Sequence, residues 1–141
     1  MADLHDLLEE LLRSTGASRV TLRRDVPGEA PFPVIEEALA PGVGSLRNES
    51  SVHLPSQPVV REIQAGRQVV QDDCAAAFDD PAFQRMLVAY GGLAAQIVTP
   101  VTVDGKLEAI LSLHQLGEPR SWTNDEIAAA TLTAERVGAA L

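Results

Sequence analysis

The chain has 141 residues, 45% of them apolar, which suits one globular domain with a substantial core. Its 20 acidic residues outnumber its 11 basic residues, and the net charge of −9 would repel nucleic acids and anionic membranes, so neither is an expected partner. Cys74 is the one cysteine, which excludes an intrachain disulfide and a multi-cysteine zinc site; together with an acidic start unlike a signal peptide, it predicts a cytoplasmic location.

The first predicted element is an amphipathic helix whose leucines recur at helical spacing. Asp3 is placed to cap its start and Gly16 to end it. A short strand follows at Arg19 to Arg24, where apolar and polar residues alternate. Residues 25–55 are rich in Pro, Gly, Ser and Glu and show no clear period. Within them, residues 34–39 fit either a second strand or a short helix.

A second, shorter helix is predicted after Gln57. Pro58 suits its first turn, and Gly66 ends it. Residues 68–71 are then predicted to form a strand that leads into Asp72-Asp73-Cys74.

Asp80-Pro81 is a start signal for a third helix, with an N-cap followed by proline in the first turn. Gly91-Gly92 stops it. This helix carries an apolar stripe, which predicts core packing first and a pocket lining only if the helix stands away from the sheet. The stripe consists of Phe83, Met86, Leu87 and Tyr90.

Asp104-Gly105 lies between two apolar runs, 93–103 and 106–116. This pair is the strongest short-range hairpin signal, because a type I′ turn needs a positive φ at both central residues. With uninterrupted pairing, the hairpin face that carries more hydrogen-bonding groups is assigned to a ligand pocket. A slip of one residue would reverse that assignment. The ligand-side residues of this face are Ile97, Thr99, Ser112 and His114.

The sequence from Thr123 to Glu126 is a capping box that opens the last helix. Its many alanines predict a close approach to a neighbouring element. The leucine-rich first helix is the expected neighbour, so both terminal helices should share one face of the sheet.

This order of elements resembles that of a GAF domain, a small-molecule-sensing module built on an antiparallel sheet. No single motif carries the resemblance; the series in order does, and it covers most of the chain. It implies one domain over residues 1–141 with an α+β fold. The central antiparallel sheet would have about six strands, with the terminal helices on one face and the pocket helices on the other.

Part of the C-terminal half looks like the tetrapyrrole-binding GAF domains of phytochromes and related photoreceptors. The matching residues are Leu113-His114-Gln115, Pro119-Arg120, Trp122 and Glu126. In those proteins the histidine contacts the chromophore. They anchor the bilin on a cysteine that is normally followed by histidine, whereas Cys74 is followed by alanine, where the second-cysteine motif of cyanobacterial relatives has phenylalanine. A covalent bilin is therefore not expected.

The candidate residues also have structural interpretations. Cys74 is either a reactive, ligand-binding thiol or a small, partly buried side chain whose pKa Asp72 and Asp73 raise. His114 either contacts a ligand or bonds a backbone group at the end of its strand. Arg120 and Trp122 are predicted to clasp the start of the last helix by stacking or by bonding strand carbonyls.

Catalysis is not expected. A GAF domain that reduces free methionine sulfoxide uses several cysteines, and a pair of Cys74 with His114 lacks a third, orienting group. The predicted function is a small-molecule-sensing regulatory domain, with a ligand that the sequence leaves unidentified. The alternative is a ligand-free dimerisation or interaction domain whose pocket is filled by its own side chains.

Homodimerisation through the terminal helices is also predicted, because their apolar stripes are wide. The residues expected nearest the partner are Leu8, Leu12, Leu132 and Val137.

Overall fold

The computed structural model describes residues 3–28 and 31–141, where four α-helices cover the two faces of a five-stranded antiparallel sheet. The elements are α1 (Leu4–Thr15), β1 (Arg19–Arg24), β2 (Val34–Leu39), α2 (Pro58–Gln64), β3 (Val69–Gln71), α3 (Pro81–Ala89), β4 (Leu93–Val103), β5 (Lys106–Leu116) and α4 (Asn124–Ala140). The strand order is β2-β1-β5-β4-β3. The fold agrees with the predicted class, with five strands in the described residues where about six were expected.

The predicted helix signals act as capping groups. Asp3 accepts a hydrogen bond from the backbone of α1, which ends at Gly16 with a φ of +66°. Asp80 accepts from two amides in the first turn of α3. Thr123 and Glu126 form the predicted capping box of α4. Each of these groups satisfies backbone groups that a helix end leaves unpaired.

The predicted hairpin turn is present, with φ of +53° at Asp104 and +78° at Gly105. The uninterrupted pairing is wrong, because a β-bulge follows the second residue pair after the turn. Thr102 still pairs with Leu107, but Val101 pairs with Ala109 rather than Glu108. The extra residue on β5 shifts the pairs from Val101–Ala109 to Ala95–Gln115 by one. Over this stretch the two faces of β4 are exchanged relative to β5.

The bulge moves half of the predicted ligand face to the other side of the sheet. Ile97 packs in the core shared with the terminal helices. Thr99 accepts a hydrogen bond at 3.0 Å from Gln68, which also bonds Thr131 of α4. Ser112 and His114 face α2 and α3, as predicted.

The terminal helices pack closely on their face of the sheet. A Cβ built on Gly138 of α4 would lie 3.3 Å from the carbonyl oxygen of Thr102. Leu8, Leu12 and Val137, which were expected to face a partner, are instead buried in the chain's own core because α1, α4 and the sheet cover one another. Leu132 is the exception among the four, with 47% of its surface exposed.

Arg120 and Trp122 form the predicted clasp before α4. The guanidinium carbon lies 4.6 Å from the centroid of the indole ring. Arg120 also bonds the carbonyl of Thr15 and the carboxylate of Glu126, and the Trp122 Nε1–H donates to the carbonyl of Gln71 at 3.1 Å. The clasp therefore joins the ends of α1, β3 and α4. Within the described residues, none of the helices has the length and apolarity required to cross a membrane.

Candidate functional site

A cavity of about 40 Å³ lies between the sheet and helices α2 and α3. This volume is several times what one buried water needs, but it is far below the roughly 300–1,000 Å³ of pockets for drug-sized ligands. The lining side chains with polar groups include Thr21, Arg23, Gln57, Tyr90, Ser112 and His114.

Four of the eight predicted ligand-side residues line this cavity. They are Met86, Tyr90, Ser112 and His114. Phe83 and Leu87 are buried in the adjoining core, where Phe83 packs edge-to-face on Phe78 with 5.1 Å between ring centroids. Ile97 and Thr99 face the terminal helices, so their assignment to the ligand side is wrong.

The sequence interpretation missed the contribution of β1. This strand pairs with β5 so that Arg19 lies opposite His114 and Thr21 opposite Ser112. The alternation along β1 places Arg19, Thr21 and Arg23 on one face, which is a readable signal. Whether that face contributes to the cavity depends on which strand pairs with β1, and the sequence pattern does not indicate that strand.

Arg19 anchors His114 from within the core. The side chain is 1% exposed, and its Nε–H donates to His114 Nδ1 at 3.1 Å. Its other nitrogens donate to the carbonyls of Tyr90 at 2.8 Å and Gly44 at 3.0 Å. Burial lowers the pKa of Arg19 to about 10, so the guanidinium is charged at neutral pH. His114 therefore bonds a buried side chain rather than the expected backbone group.

This contact determines the tautomer of His114. A guanidinium can only donate, so Nδ1 must accept and the neutral ring carries its proton on Nε2. Burial first, and then the charges of Arg19 and Arg23, lower the pKa of His114 well below its usual value. At neutral pH this cavity-lining histidine is an uncharged Nε2–H donor.

Arg23 brings a second guanidinium to the cavity wall. It donates to the Tyr90 hydroxyl at 3.2 Å and to the carbonyl of Phe32 at 3.0 Å, and its carbon lies 5.9 Å from the Tyr90 ring centroid. Burial raises the pKa of Tyr90, so the phenol is neutral. Across residues 3–28 and 31–141, no carboxylate lies within ion-pairing distance of Arg19 or Arg23.

The buried carboxylate of Glu37 favours the charged form of Arg19 and has hydrogen-bond partners of its own. It accepts hydrogen bonds from the Leu46 amide at 2.8 Å and from the Ser45 hydroxyl, and it pairs with Arg47. Among the side chains that line the cavity, that of Arg23 is the charged one at neutral pH.

Two buried side-chain oxygens, on residues that line the cavity, lack a hydrogen-bond partner. Among the described residues, Thr21 Oγ1 and Gln57 Oε1 are the buried side-chain atoms in this condition. The Gln57 amide nitrogen donates weakly to the carbonyl of Ala82 at 3.4 Å, which turns the oxygen away from that carbonyl. Leaving a buried polar group unpaired costs about 1–3 kcal/mol, so each of these oxygens lowers the stability of the fold by an amount of this order.

A larger, open groove adjoins the cavity. It has a volume of about 620 Å³ and is bordered mainly by residues 46–55. Arg23, Leu54 and Tyr90 line both the groove and the cavity. A molecule seated in the cavity therefore has room for a substituent that extends toward solvent.

Cys74 lies outside the cavity lining and is fully buried. Burial, and secondarily the charge of Asp73, raise the pKa of its thiol to about 12. The carboxylate of Asp72 accepts from the Trp122 amide at 3.2 Å and so bonds the segment that precedes α4. Within the described part of the chain, no group of three or more His, Cys, Asp or Glu side chains is placed to hold a metal ion.

Cys74 is expected to resist alkylation in the folded protein because the thiolate, the reactive form, is nearly absent at neutral pH. Iodoacetamide at pH 7.5 should label the native chain at least 100-fold more slowly than the urea-unfolded chain, followed by intact-mass measurement. Native labelling at a rate close to that of the unfolded chain would contradict the burial described above.

The stability of the fold is expected to decline below pH 6.5 because of His114. The pKa of His114 is lower in the folded chain than in the unfolded chain. The contribution of the neutral histidine to the free energy of unfolding is therefore complete above the unfolded pKa and is progressively lost as the pH falls below that value. One proton taken up only on unfolding gives a slope of about 1.4 kcal/mol per pH unit.

Urea unfolding between pH 7 and 5 measures this slope in the native chain and in His114→Gln. The difference between the two isolates His114 from the carboxylates and from His5, whose pKa the Glu36 contact raises. His53→Gln, at an exposed position, is the matched control and should retain the native slope. Equal slopes in all three proteins would disprove the prediction.

Comparison with known proteins places this geometry in context. The family model for the GAF domain matches residues 3–141. No curated protein matches the chain. Among solved structures, the GAF domain of the cyanobacteriochrome TePixJ is 22% identical, with 96% of this chain and 84% of that chain covered and a TM-score of 0.81.

Two further structures have the same fold. GAF3 from Slr1393 of Synechocystis sp. PCC6803, in its photoproduct state, is 22% identical over 97% of this chain and 89% of that chain, with a TM-score of 0.79. The far-red-absorbing dark state of JSC1_58120g3, with bound biliverdin IXa, is 20% identical over 99% and 90%, with a TM-score of 0.78. At these identities the comparison establishes the fold.

Proposed function

Since the chain belongs to the GAF domain family, we propose that it is a small-molecule-sensing regulatory domain whose ligand occupies the cavity between the sheet and helices α2 and α3. The observation that carries this proposal is the polar part of the cavity lining, in which Arg23, Ser112 and His114 lie between the sheet and the two helices. A domain whose pocket served only as core would gain stability from apolar groups of the same shape at these positions. The polar lining therefore favours ligand binding.

The proposed ligand is much smaller than a tetrapyrrole. The cavity of about 40 Å³ is too small for a bilin, and the one cysteine, Cys74, is buried and not followed by histidine. Arg120 and Trp122, part of the segment that looks like the tetrapyrrole-binding one, make the clasp described above. The biliverdin of the related structure is thus not carried over to this chain.

Native mass spectrometry of the protein purified from its own host tests the proposal. A co-purifying small molecule is expected with the native chain. Ser112→Leu, which fills the cavity from β5, should lose that molecule. Thr102→Leu, at an exposed position on the neighbouring strand, is the control and should retain it. Absence of any bound molecule, or equal retention by Ser112→Leu, would overturn the proposal.

The surroundings of Cys74 and His114 argue against catalysis. The thiol of Cys74 is buried with a raised pKa, and the Nδ1 of His114 bonds Arg19 rather than a nucleophile. We therefore propose a binding role without enzymatic activity. The cytoplasm stays the predicted location, and the net charge of −9 still disfavours nucleic acid and membranes as partners.

A ligand-free dimerisation domain is the second candidate, favoured by the small cavity volume and by one exposed leucine on α4. Leu132 is 47% exposed, and in this candidate it lies at the two-fold axis of a homodimer formed by the terminal helices.

Light scattering at micromolar concentration checks the dimer. A native mass of about twice 15.0 kDa is expected, with Leu132→Glu reduced to the monomer mass, since a buried unpaired carboxylate opposes association. Val88→Glu, on the exposed side of α3, should leave the mass unchanged. A native mass of 15.0 kDa would make the dimer prediction wrong.

A further inference from the structure

The segment Pro31-Phe32-Pro33, which precedes β2, has a strained backbone. Phe32 has a φ of +49°, a left-handed conformation that a bulky side chain rarely adopts. The proline that follows adds to the strain, because it favours an extended conformation in the residue before it. A residue stays in such a conformation only where the surrounding contacts hold it there.

This segment is held by a side chain, by the sheet and by the core. Arg23 Nη1–H donates to the carbonyl of Phe32 at 3.0 Å. The Arg24 amide donates to the carbonyl of Pro33 at 3.2 Å. The half-buried Phe32 also packs against the core cluster that contains Tyr90. Of these contacts, the bond from Arg23 is the one that a side-chain rotation can break without disturbing the sheet.

Arg23 lies at the junction of the cavity and the open groove. Its second guanidinium nitrogen donates to the Tyr90 hydroxyl at 3.2 Å. Arg23 and Tyr90 line both the cavity and the groove, and Pro31 and Pro33 line the groove. The side chain that holds the strained segment is therefore also part of the wall between the two spaces.

We propose that Pro31-Phe32-Pro33 is a strap that closes the passage from the groove into the cavity, and that Arg23 holds it closed. Rotation of Arg23 would break the bond to Phe32, which would then return to an ordinary backbone conformation. Relief of the strain offsets part of the cost of the lost bond, so the open state is within thermal reach of the closed state. This inference rests on the proposed function and adds the route by which a ligand enters.

A second route into the cavity is costlier to open. Another surface depression, of about 320 Å³, is lined by Gln57 and Met86, which also line the cavity. Both side chains are buried where α2 begins and along α3. Passage at this point requires a helix to move, whereas passage beside the strap requires rotation of one side chain and release of a short segment.

A thiol placed in the cavity measures passage without any ligand. Ser112→Cys puts that thiol on the cavity wall, at a position that is 7% exposed. Methyl methanethiosulfonate, a small neutral thiol reagent, is added to the full chain at pH 8, and the labelling rate is read from peptide masses. Cys74 is fully buried and is the internal control, since its labelling reports unfolding of the whole chain.

With Ser112→Cys as the background, Phe32→Ala and Arg23→Met should each raise the labelling rate about tenfold or more, although removing the charge of Arg23 by itself disfavours the reactive thiolate. Arg24→Met, on the opposite face of β1, should leave the rate unchanged. An unchanged rate in Phe32→Ala would overturn the strap even if Arg23→Met fails to fold. A rate that rises only in Gln57→Met, or only together with the labelling of Cys74, would also overturn it.

The strain has a test of its own. Phe32→Ala and Phe32→Gly both remove the ring, but glycine alone adopts a positive φ without strain. Phe32→Ala should therefore be labelled about threefold faster than Phe32→Gly, because alanine retains the strain that favours opening. Equal rates, or a faster rate in Phe32→Gly, would show that the strap stores no strain and would overturn the inference.

The outcomes separate this inference from the proposed function. Labelling that none of the strap variants accelerates would overturn the strap and leave the sensor in place, provided that a small molecule co-purifies with the native chain. Accelerated labelling in the strap variants, without any co-purifying molecule, would support the strap and overturn the sensor.

Discussion

Replacing Trp122 with alanine is expected to lower the free energy of unfolding by about 3–5 kcal/mol, the usual range for truncating a buried tryptophan. The side chain is 8% exposed and stacks against Arg120 at 4.6 Å. Its Nε1–H also pairs the carbonyl of Gln71, at the end of β3. Truncation would therefore leave a cavity, a buried carbonyl without a donor and a guanidinium without its aromatic partner.

Urea unfolding monitored by circular dichroism measures this change, since Trp122 is the one tryptophan and fluorescence would be lost with it. Trp122→Phe keeps most of the packing and should lose less stability than Trp122→Ala. Val88→Ala, at a position that is 77% exposed, is the control and should change stability by less than about 0.5 kcal/mol. A loss below 1 kcal/mol in Trp122→Ala would show that the clasp does not stabilise the fold.

Replacing Arg19 with methionine, which has a similar length, is expected to cost about 3 kcal/mol or more. Two buried acceptors would lose their donors, the carbonyl of Tyr90 and His114 Nδ1, and so would the carbonyl of the exposed Gly44. Each such loss costs about 1–3 kcal/mol. Relief from burying the guanidinium offsets part of this, but the two unpaired buried acceptors and the lost packing of the side chain outweigh one removed charge.

His114 provides a readout that a general loss of stability would not change. Without Arg19, Nδ1 is free to carry the proton, so the ¹⁵N shifts of the ring should move toward the other tautomer. The pKa of His114 should rise, because the charge of Arg19 lowers it, while burial still keeps it below its usual value.

Arg24→Met is the matched control, since Arg24 lies on the opposite face of β1 and is only partly buried. It should retain both the native stability and the native ring shifts. If Arg19→Met were as stable as the native chain, or if its ring shifts were unchanged, Arg19 would have no part in holding His114.

The segment that looks like the tetrapyrrole-binding one contributes to two separate places in the structure, the cavity and the clasp. His114 faces the cavity, whereas Arg120, Trp122 and Glu126 connect the termini of helices and strands. In this chain, the resemblance of the segment therefore indicates the fold more reliably than it indicates the binding site.

Local chemistry by itself determined the elements of this protein. The caps at Asp3, Asp80 and Thr123 act on amides two or three residues away, and the turn at Asp104-Gly105 depends on two φ angles. Such signals involve groups close in sequence, so the chain order shows them directly. The helices and the hairpin followed from them, and the resemblance to a GAF domain implied the α+β class.

Only the tertiary structure decided the composition of the site. The bulge opposite Val101 depends on how a twisted hairpin fits between two helical layers, and it moved Ile97 and Thr99 away from the cavity. The pairing of β1 with β5 brought Arg19 to His114 across 95 positions of sequence. Contacts of this range depend on which strands become neighbours, because the alternation within a strand specifies its two faces but not the partner each face meets.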